Sequence, residues 1–156
     1  IRRQLHAFRD GLRGTHERDT YGAQMKPFAA MLADDAAIRN VAAYLEALPG
    51  QGRQATVSGD ADRGRRLYGT CASCHGGQGQ GIWALNAPRL AHMSDWYLVR
   101  QLQNFQHGVR GTHRQDFYGW QMATFADALK NERSINDVVA YINTLDPQPV
   151  RTARKD

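Results

Sequence analysis

Two cysteines and a histidine stand within five residues, Cys71-Ala72-Ser73-Cys74-His75, and the 156-residue chain has no other cysteine. In a Cys-x-x-Cys-His segment the two thiols add across the vinyl groups of a haem, and the adjacent imidazole supplies one axial nitrogen to the iron. A two-residue spacer brings both sulfurs to the vinyl edges from a single turn. Three other chemistries use the same residue types. A dithiol redox pair needs a βαβ setting, which the sequence lacks. A zinc site needs a fourth ligand, and no second cysteine pair supplies it. A local disulfide is open to any such pair in an oxidising compartment. Covalent attachment of one haem c accounts for all three residues together.

An iron held by His75 has a sixth position to fill. Met93, Met122, His92, His107 and His113 all lie downstream. Methionine in a helical protein is usually core filler. Met122 stands apart because it follows His75 by 47 residues, on a stretch bearing glycine and aromatics, 12 residues before Ser134. That position predicts a loop able to fold back over the opposite face of the ring.

The elements that must position these groups read as helices. Asp60 caps a helix in which Ala61, Gly64, Leu67 and Tyr68 share a face, leading into Cys71. Ser94 caps a second, with Leu98, Leu102 and Phe105 at four- and three-residue spacing and Gly108 at its end. A third is predicted from Ser134, with Asp137 completing a capping-box variant, through Ile135, Val138, Val139, Ile142 and Leu145, with Pro147 beyond. No alternating strand pattern competes, so the expected fold class is all-α.

A shift of 97 positions superposes Leu5–Leu32 on Leu102–Leu129 without gaps, and Ile38–Leu45 on Ile135–Ile142. The chain therefore carries an internal duplication. The second copy is complete; the first lacks the cysteines, the following histidine and the first helix. The expected organisation is a truncated repeat without a haem motif at 1–49, a polar, Gly-containing linker at 50–58, a haem-binding domain at 59–147 and a tail at 148–156. Residues 1–49 make a marginal core alone. They are expected to survive as two helices packed on the haem domain, with Met25 binding no iron.

The net charge of +5 is spread evenly, at +2 for residues 1–58, +1 for 59–147 and +2 for 148–156. No basic block tracks a phosphate backbone, so nucleic acid is not an expected partner. No apolar run approaches the roughly 20 residues of a membrane span, and a soluble protein is expected. The first residue is Ile1, which reads as a mature chain or an excised fragment.

The order GDADRGRRLYGTCASCHG, APRLA, SDWYLVRQLQNF, YGWQM and DVVAYINTL resembles class I cytochrome c domains, most closely the tandem dihaem cytochromes of the c4 type. The resemblance covers nearly all of 59–147, and its back half recurs in 1–49. It implies that Met122 is the sulfur ligand opposite His75. It implies also that the Pro88 carbonyl receives the His75 N–H, and that Gly64 is the close crossing point of the first helix against Tyr141 of the last. Leu90, Tyr97, Leu98, Leu102, Phe105 and Phe125 resemble haem-packing positions, while Arg89 and Arg110 are candidates to reach the propionates. The absence of a second attachment motif is the departure from a c4 pattern.

With both axial positions filled, the expected work is outer-sphere electron transfer between redox protein partners, in a periplasmic or extracellular, bacterial setting. Two rivals remain. One is an electron-delivery domain cut from a larger oxidase or extracellular oxidative enzyme. The other is a haem peroxidase or gas sensor, which requires the sixth ligand to be absent or labile.

Overall fold

A computed structural model of the chain describes residues 1–49 and 54–146. Residues 50–53 of the expected linker, Pro147 and the 148–156 tail lie outside the described residues. Among the described residues the order is α1 (Arg2–Arg9), α2 (Thr20–Ala30), α3 (Asp35–Ala47), α4 (Ala61–His75), a 3₁₀ turn (Trp83–Leu85), α5 (Asp95–Gln106), α6 (Phe117–Ala126) and α7 (Glu132–Asn143). The only β pairing among them is an isolated bridge between Ile82 and Ala87. The all-α expectation holds, and residues 1–49 form three helices where the sequence predicts two. The chain gathers into two compact units, Ile1–Gly52 with Gln101–Ala128, and Arg53–Arg100 with Leu129–Asp156. The sequence-expected 59–147 segment thus contributes to both.

In the unit of 53–100 with 129–156, α4 packs along α7. As predicted, the Asp60 side chain caps α4 by accepting the Arg63 N–H at 2.9 Å. The helix runs through the whole cysteine motif and ends at His75. Gly64 lies at the crossing, where a Cβ would stand 1.9 Å from the Asp137 carbonyl oxygen and 2.9 Å from Tyr141 Cβ. Ile135, Val138, Val139 and Ile142 are buried on α7, each contributing about 1.5–3 kcal/mol of apolar burial. Two predicted details of α7 are corrected. Its cap is Asn131, which accepts the Ser134 N–H at 2.9 Å, so Ser134 lies inside the helix. Asp137 joins no capping box: it is buried, pairs with Arg63 and accepts the Asp60 N–H at 2.8 Å. A carboxylate so buried is retained by its ion pair and N–H donor rather than by helix-end electrostatics.

The unit of 1–52 with 101–128 displays the duplication in three dimensions. Arg13 donates to Gln4 Oε1 and, at 3.2 Å, to Gln101 Oε1. Arg110 donates to Gln101 Oε1 at 2.6 Å and to Gln4 Oε1 at 3.0 Å. Each guanidinium also lies over the ring of its own copy, Arg13 on Phe8 and Arg110 on Phe105. Gln4 and Gln101, Phe8 and Phe105, and Arg13 and Arg110 are each 97 positions apart, so the copies meet through a crossed, pseudo-twofold contact. Asp19 and Asp116 cap α2 and α6 identically, accepting the Gly22 and Gly119 N–H groups at 3.0 Å.

The copies differ in what covers their last helix. On α7, Ile142 is 4 % exposed and Leu145 just beyond it 6 %; their counterparts Leu45 and Leu48 at the end of α3 are 42 % and 47 % exposed, and Tyr44, the counterpart of Tyr141, 67 %. An apolar face at three- and four-residue spacing is thus bare in the first copy.

Candidate functional site

The haem motif occupies the last turns of α4. Cys71 and Cys74, three residues apart, are both half-buried, and burial pushes the pKa of an unattached Cys71 thiol up from its ordinary value. His75 is 4 % exposed. Its Nδ1 lies 2.7 Å from the Pro88 carbonyl oxygen. A carbonyl only accepts, so Nδ1 carries the proton and Nε2 keeps its lone pair. Burial lowers the imidazole pKa, against a smaller upward pull from the Pro88 bond. His75 is therefore a neutral, oriented nitrogen donor, as an axial ligand must be.

The segment after His75 secures this arrangement. The Gly81 N–H donates to the His75 carbonyl at 2.8 Å, and the Gly79 carbonyl accepts the N–H groups of Leu90 and Ala91 at 2.8 and 3.1 Å. Gly81 has φ +80°, and a Cβ there would meet Arg89 N at 2.6 Å, so only glycine lets the chain close onto Pro88. Tyr68, one helical turn before Cys71, is 2 % exposed and donates its hydroxyl to the Gly76 carbonyl at 2.7 Å. Burial, with smaller contributions from Cys71 and Tyr141, raises its pKa to about 12. The helix end bearing His75 is therefore tied on both sides.

Of the other expected site residues, Leu98 is buried and Leu90 and Tyr97 are half-buried within the unit that carries the motif. Leu102, Phe105, Met122 and Phe125 belong to the unit of 101–128. There Phe105 is buried, Leu102 and Met122 are half-buried, and Phe125 is 46 % exposed. Met122 is on α6, and the loop expected there is corrected: Asp116 caps the segment and starts a helix despite its glycine and aromatics. Arg89 is engaged locally, donating to the Ala91 carbonyl at 3.0 Å and lying 2.6 Å from His92 Nδ1. Among the described residues no three His, Cys, Asp or Glu side chains converge on a metal-sized site.

Asp95 is a residue that sequence reasoning passed over. It is 4 % exposed. Its carboxylate accepts the N–H groups of Val57 and Trp96 at 2.9 and 2.7 Å, the Thr56 hydroxyl at 2.8 Å, the Thr56 N–H, and Asn143 Nδ2 at 3.2 Å. The sequence signal was an aspartate directly after the Ser94 cap, which reads as an ordinary first-turn acid.

Thiol spacing, a buried neutral imidazole and its carbonyl partner form a fitting cradle for covalent haem. The Cytochrome c family model matches residues 61–146, more than half of the chain. The chain belongs to the cytochrome c family. Cys71 and Cys74 accordingly hold one covalent haem c, and the family's chemistry is electron transfer by that group. The chain is 33 % identical over 129 residues to a thiosulfate dehydrogenase electron acceptor of Stutzerimonas stutzeri, covering 76 % of this chain and 56 % of that protein. It is 33 % identical over 107 residues to a cbb3-type cytochrome c oxidase subunit, FixPc, of Rhizobium leguminosarum bv. viciae, covering 64 % of this chain and 36 % of that one. The chain thus spans about half or less of these two curated relatives. Its fold matches the cytochrome c4 of Acidithiobacillus ferrooxidans with a TM-score of 0.72 at 26 % identity, over 93 % of this chain and 82 % of that one. It also matches a thiosulfate dehydrogenase, TsdBA, of Marichromatium purpuratum, with a TM-score of 0.70 at 28 % identity, over 92 % of this chain and 30 % of that one. Among the described residues no helix is long and apolar enough to cross a membrane.

Proposed function

We propose that this chain is an electron carrier with a single haem c bound by His75 and Met122, working between redox protein partners outside the bacterial cytoplasm. The observation that carries the reading is the His75 geometry: a buried imidazole with Nδ1 committed to Pro88 and Nε2 left for iron. Met122 is supported by its place in the sequence and by a family match that takes in both residues. The haem supplies a one-electron Fe(III)/Fe(II) couple. The chain's own part is to fix Nε2 through Pro88, hold the attachment helix against α7, and offer the thioether of Met122, which favours the ferrous state and raises the potential. Docking for such exchange is small and transient, typically below about 1,200 Å².

The ferric optical spectrum should show the weak red charge-transfer band of sulfur-ligated haem, with sharp low-spin bands after reduction. Met122→Ala should abolish that band and turn the ferric protein high-spin, while Met93→Ala leaves it intact. A band that survives Met122→Ala, or a wild-type spectrum already high-spin, would sink the His/Met reading and bring forward the peroxidase or sensor alternative.

A second reading, an electron-delivery portion of a larger redox protein, is favoured by the bare apolar face of α3 and by the fraction of the relatives that the chain covers. In either reading residues 1–49 are an appendage held by the crossed Arg–Gln contact. In limited proteolysis they should then outlast the first cut elsewhere, and early cleavage within α1 to α3 would show that the contact does not hold them.

A further inference from the structure

The repeat without a haem motif buries a cation that its own unit does not neutralise. Arg13 is 6 % exposed, and its Nε has no hydrogen-bond partner among the described residues. No Asp or Glu among them lies within ion-pairing distance of its guanidinium. Acids of the same repeat are used elsewhere: Asp10 and Asp35 pair with Arg9, and Asp19 and Asp34 cap α2 and α3. What Arg13 touches is neutral, namely the amide oxygens of Gln4 and Gln101 and the ring of Phe8, whose centroid is 4.3 Å from its Cζ. Arg110 donates to the same two oxygens, at 3.0 and 2.6 Å, so a second positive charge stands against the first.

A guanidinium does not give up its proton on burial, and an uncompensated buried charge is strongly unfavourable. Stacking on Phe8 and charge-assisted bonds to two amides offset part of that cost. For packing alone an apolar side chain of similar length serves better, so the charge itself points to a use. Its position indicates which. The same unit holds Met122. Arg110 is followed by Gly111, which is buried against α6: a Cβ there would stand 3.2 Å from Ala123 Cβ, and Ala123 directly follows Met122. The cluster of Arg13, Gln101 and Arg110 therefore runs from the haemless repeat to the helix that bears the thioether.

We propose that Arg13 sets the reduction potential: its buried charge, supplied by the repeat that holds no haem, raises the potential of the haem that Met122 serves. The proposal rests on the His75/Met122 reading and adds a task for residues 1–49. One electron arrives from the donor, Fe(III) becomes Fe(II), and no bond or proton changes. The ferric form carries one more positive charge, so a fixed cation in a low-dielectric interior disfavours it. Unit charges roughly 10–15 Å apart at an effective dielectric constant of about 20 shift a one-electron equilibrium about tenfold, which is about 59 mV.

The test is spectroelectrochemical titration of the holoprotein against a fixed reference couple, with the sulfur charge-transfer band and the urea midpoint recorded for each variant. Gln4→Glu is nearly isosteric and sets a carboxylate against both guanidiniums. It should hold or raise the urea midpoint, because a buried cation gains its counter-ion, and yet move the redox equilibrium about tenfold toward the ferric form. Arg13→Met keeps an unbranched stem and removes the charge, and should move the equilibrium the same way by a similar factor. Arg13→Lys keeps the charge and should stay within about twofold of wild type. All three should retain the sulfur band. An equilibrium constant for Gln4→Glu within about twofold of wild type overturns the proposal, whether or not Arg13→Met folds. So does a shift in Gln4→Glu that comes with a lower urea midpoint or without the sulfur band, which places the effect in the packing or at the ligand. A wild-type protein that lacks the band fails the His/Met reading instead, and the proposal falls with it.

Discussion

Gly64→Val is expected to cost this protein about 3 kcal/mol or more and to lower its haem content on expression, whereas Gly69→Ala, five residues along the same helix, should be neutral or slightly stabilising. The contrast is geometric. At Gly64 a Cβ would lie 1.9 Å from the Asp137 carbonyl oxygen and 2.6 Å from its carbonyl carbon, both backbone atoms of α7 that no rotamer change can move aside. At Gly69 nothing lies within 4 Å of the same atom, and only the entropic gain of replacing a mid-helix glycine remains. Separating α4 from α7 also disturbs the Arg63–Asp137 pair and leaves a buried carboxylate without its counter-ion. The functional consequence follows from helix length: Cys71 is seven residues beyond Gly64, about 10 Å along the axis, so tilting the crossing displaces both thiols and His75 together. Denaturant midpoints and the ratio of haem to protein absorbance measure the two effects. A Gly64→Val protein with a wild-type midpoint would show that the helices do not meet as described.

How much of this was legible beforehand depends on the range of each interaction. The haem motif was read outright because thioether attachment demands a fixed local spacing, and five consecutive residues carry all of it. The Asp60 cap, the apolar face of α4 and the Gly64 crossing were legible for a similar reason. A cap acts within one turn, and a glycine at a helix crossing recurs in a recognisable family pattern. The misreadings occurred where tertiary partners override local preference. Ser134 and Asp137 have the residue types of a capping box, yet Asn131 starts α7 and Asp137 is drawn inward by Arg63 and the Asp60 N–H. The α6 segment carries glycine and aromatics and reads as a loop, but Asp116 nucleates it as a helix, just as Asp19 does for α2. The duplication itself was plain in the sequence. That its copies would meet through crossed Arg13 and Arg110 contacts to Gln4 and Gln101 was not, because a linear alignment shows which residues correspond and not which ones touch.

Asp95→Asn should remove about 2–3 kcal/mol of stability at neutral pH, and the deficit should shrink as the solution is acidified. In the folded protein burial alone would raise the Asp95 pKa, but the N–H groups of Val57 and Thr56, the Thr56 hydroxyl and the Trp96 N–H outweigh it and hold the pKa at about 2. The ordinary value is 3.8, so the folded state binds its proton less readily than the unfolded chain. The contribution to stability is therefore complete above pH about 4 and is lost as the pH falls through about 2, a loss on the order of 2 kcal/mol for a shift of this size. An asparagine keeps one acceptor oxygen but turns an NH₂ group toward donors that need acceptors, and it has no charge to strengthen the remaining bonds. The carboxylate joins the segment at Thr56 and Val57, the first turn of α5 and Asn143 at the end of α7, so its loss loosens three segments of the haem-bearing unit at once. Urea unfolding of the holoprotein at pH 7, 5, 4, 3 and 2.5 is the direct measurement. The wild-type and Asp95→Asn curves should converge mainly below pH 4. A gap that stays constant down to pH 2.5 would mean that shape, and not the ionised carboxylate, is what Asp95 contributes.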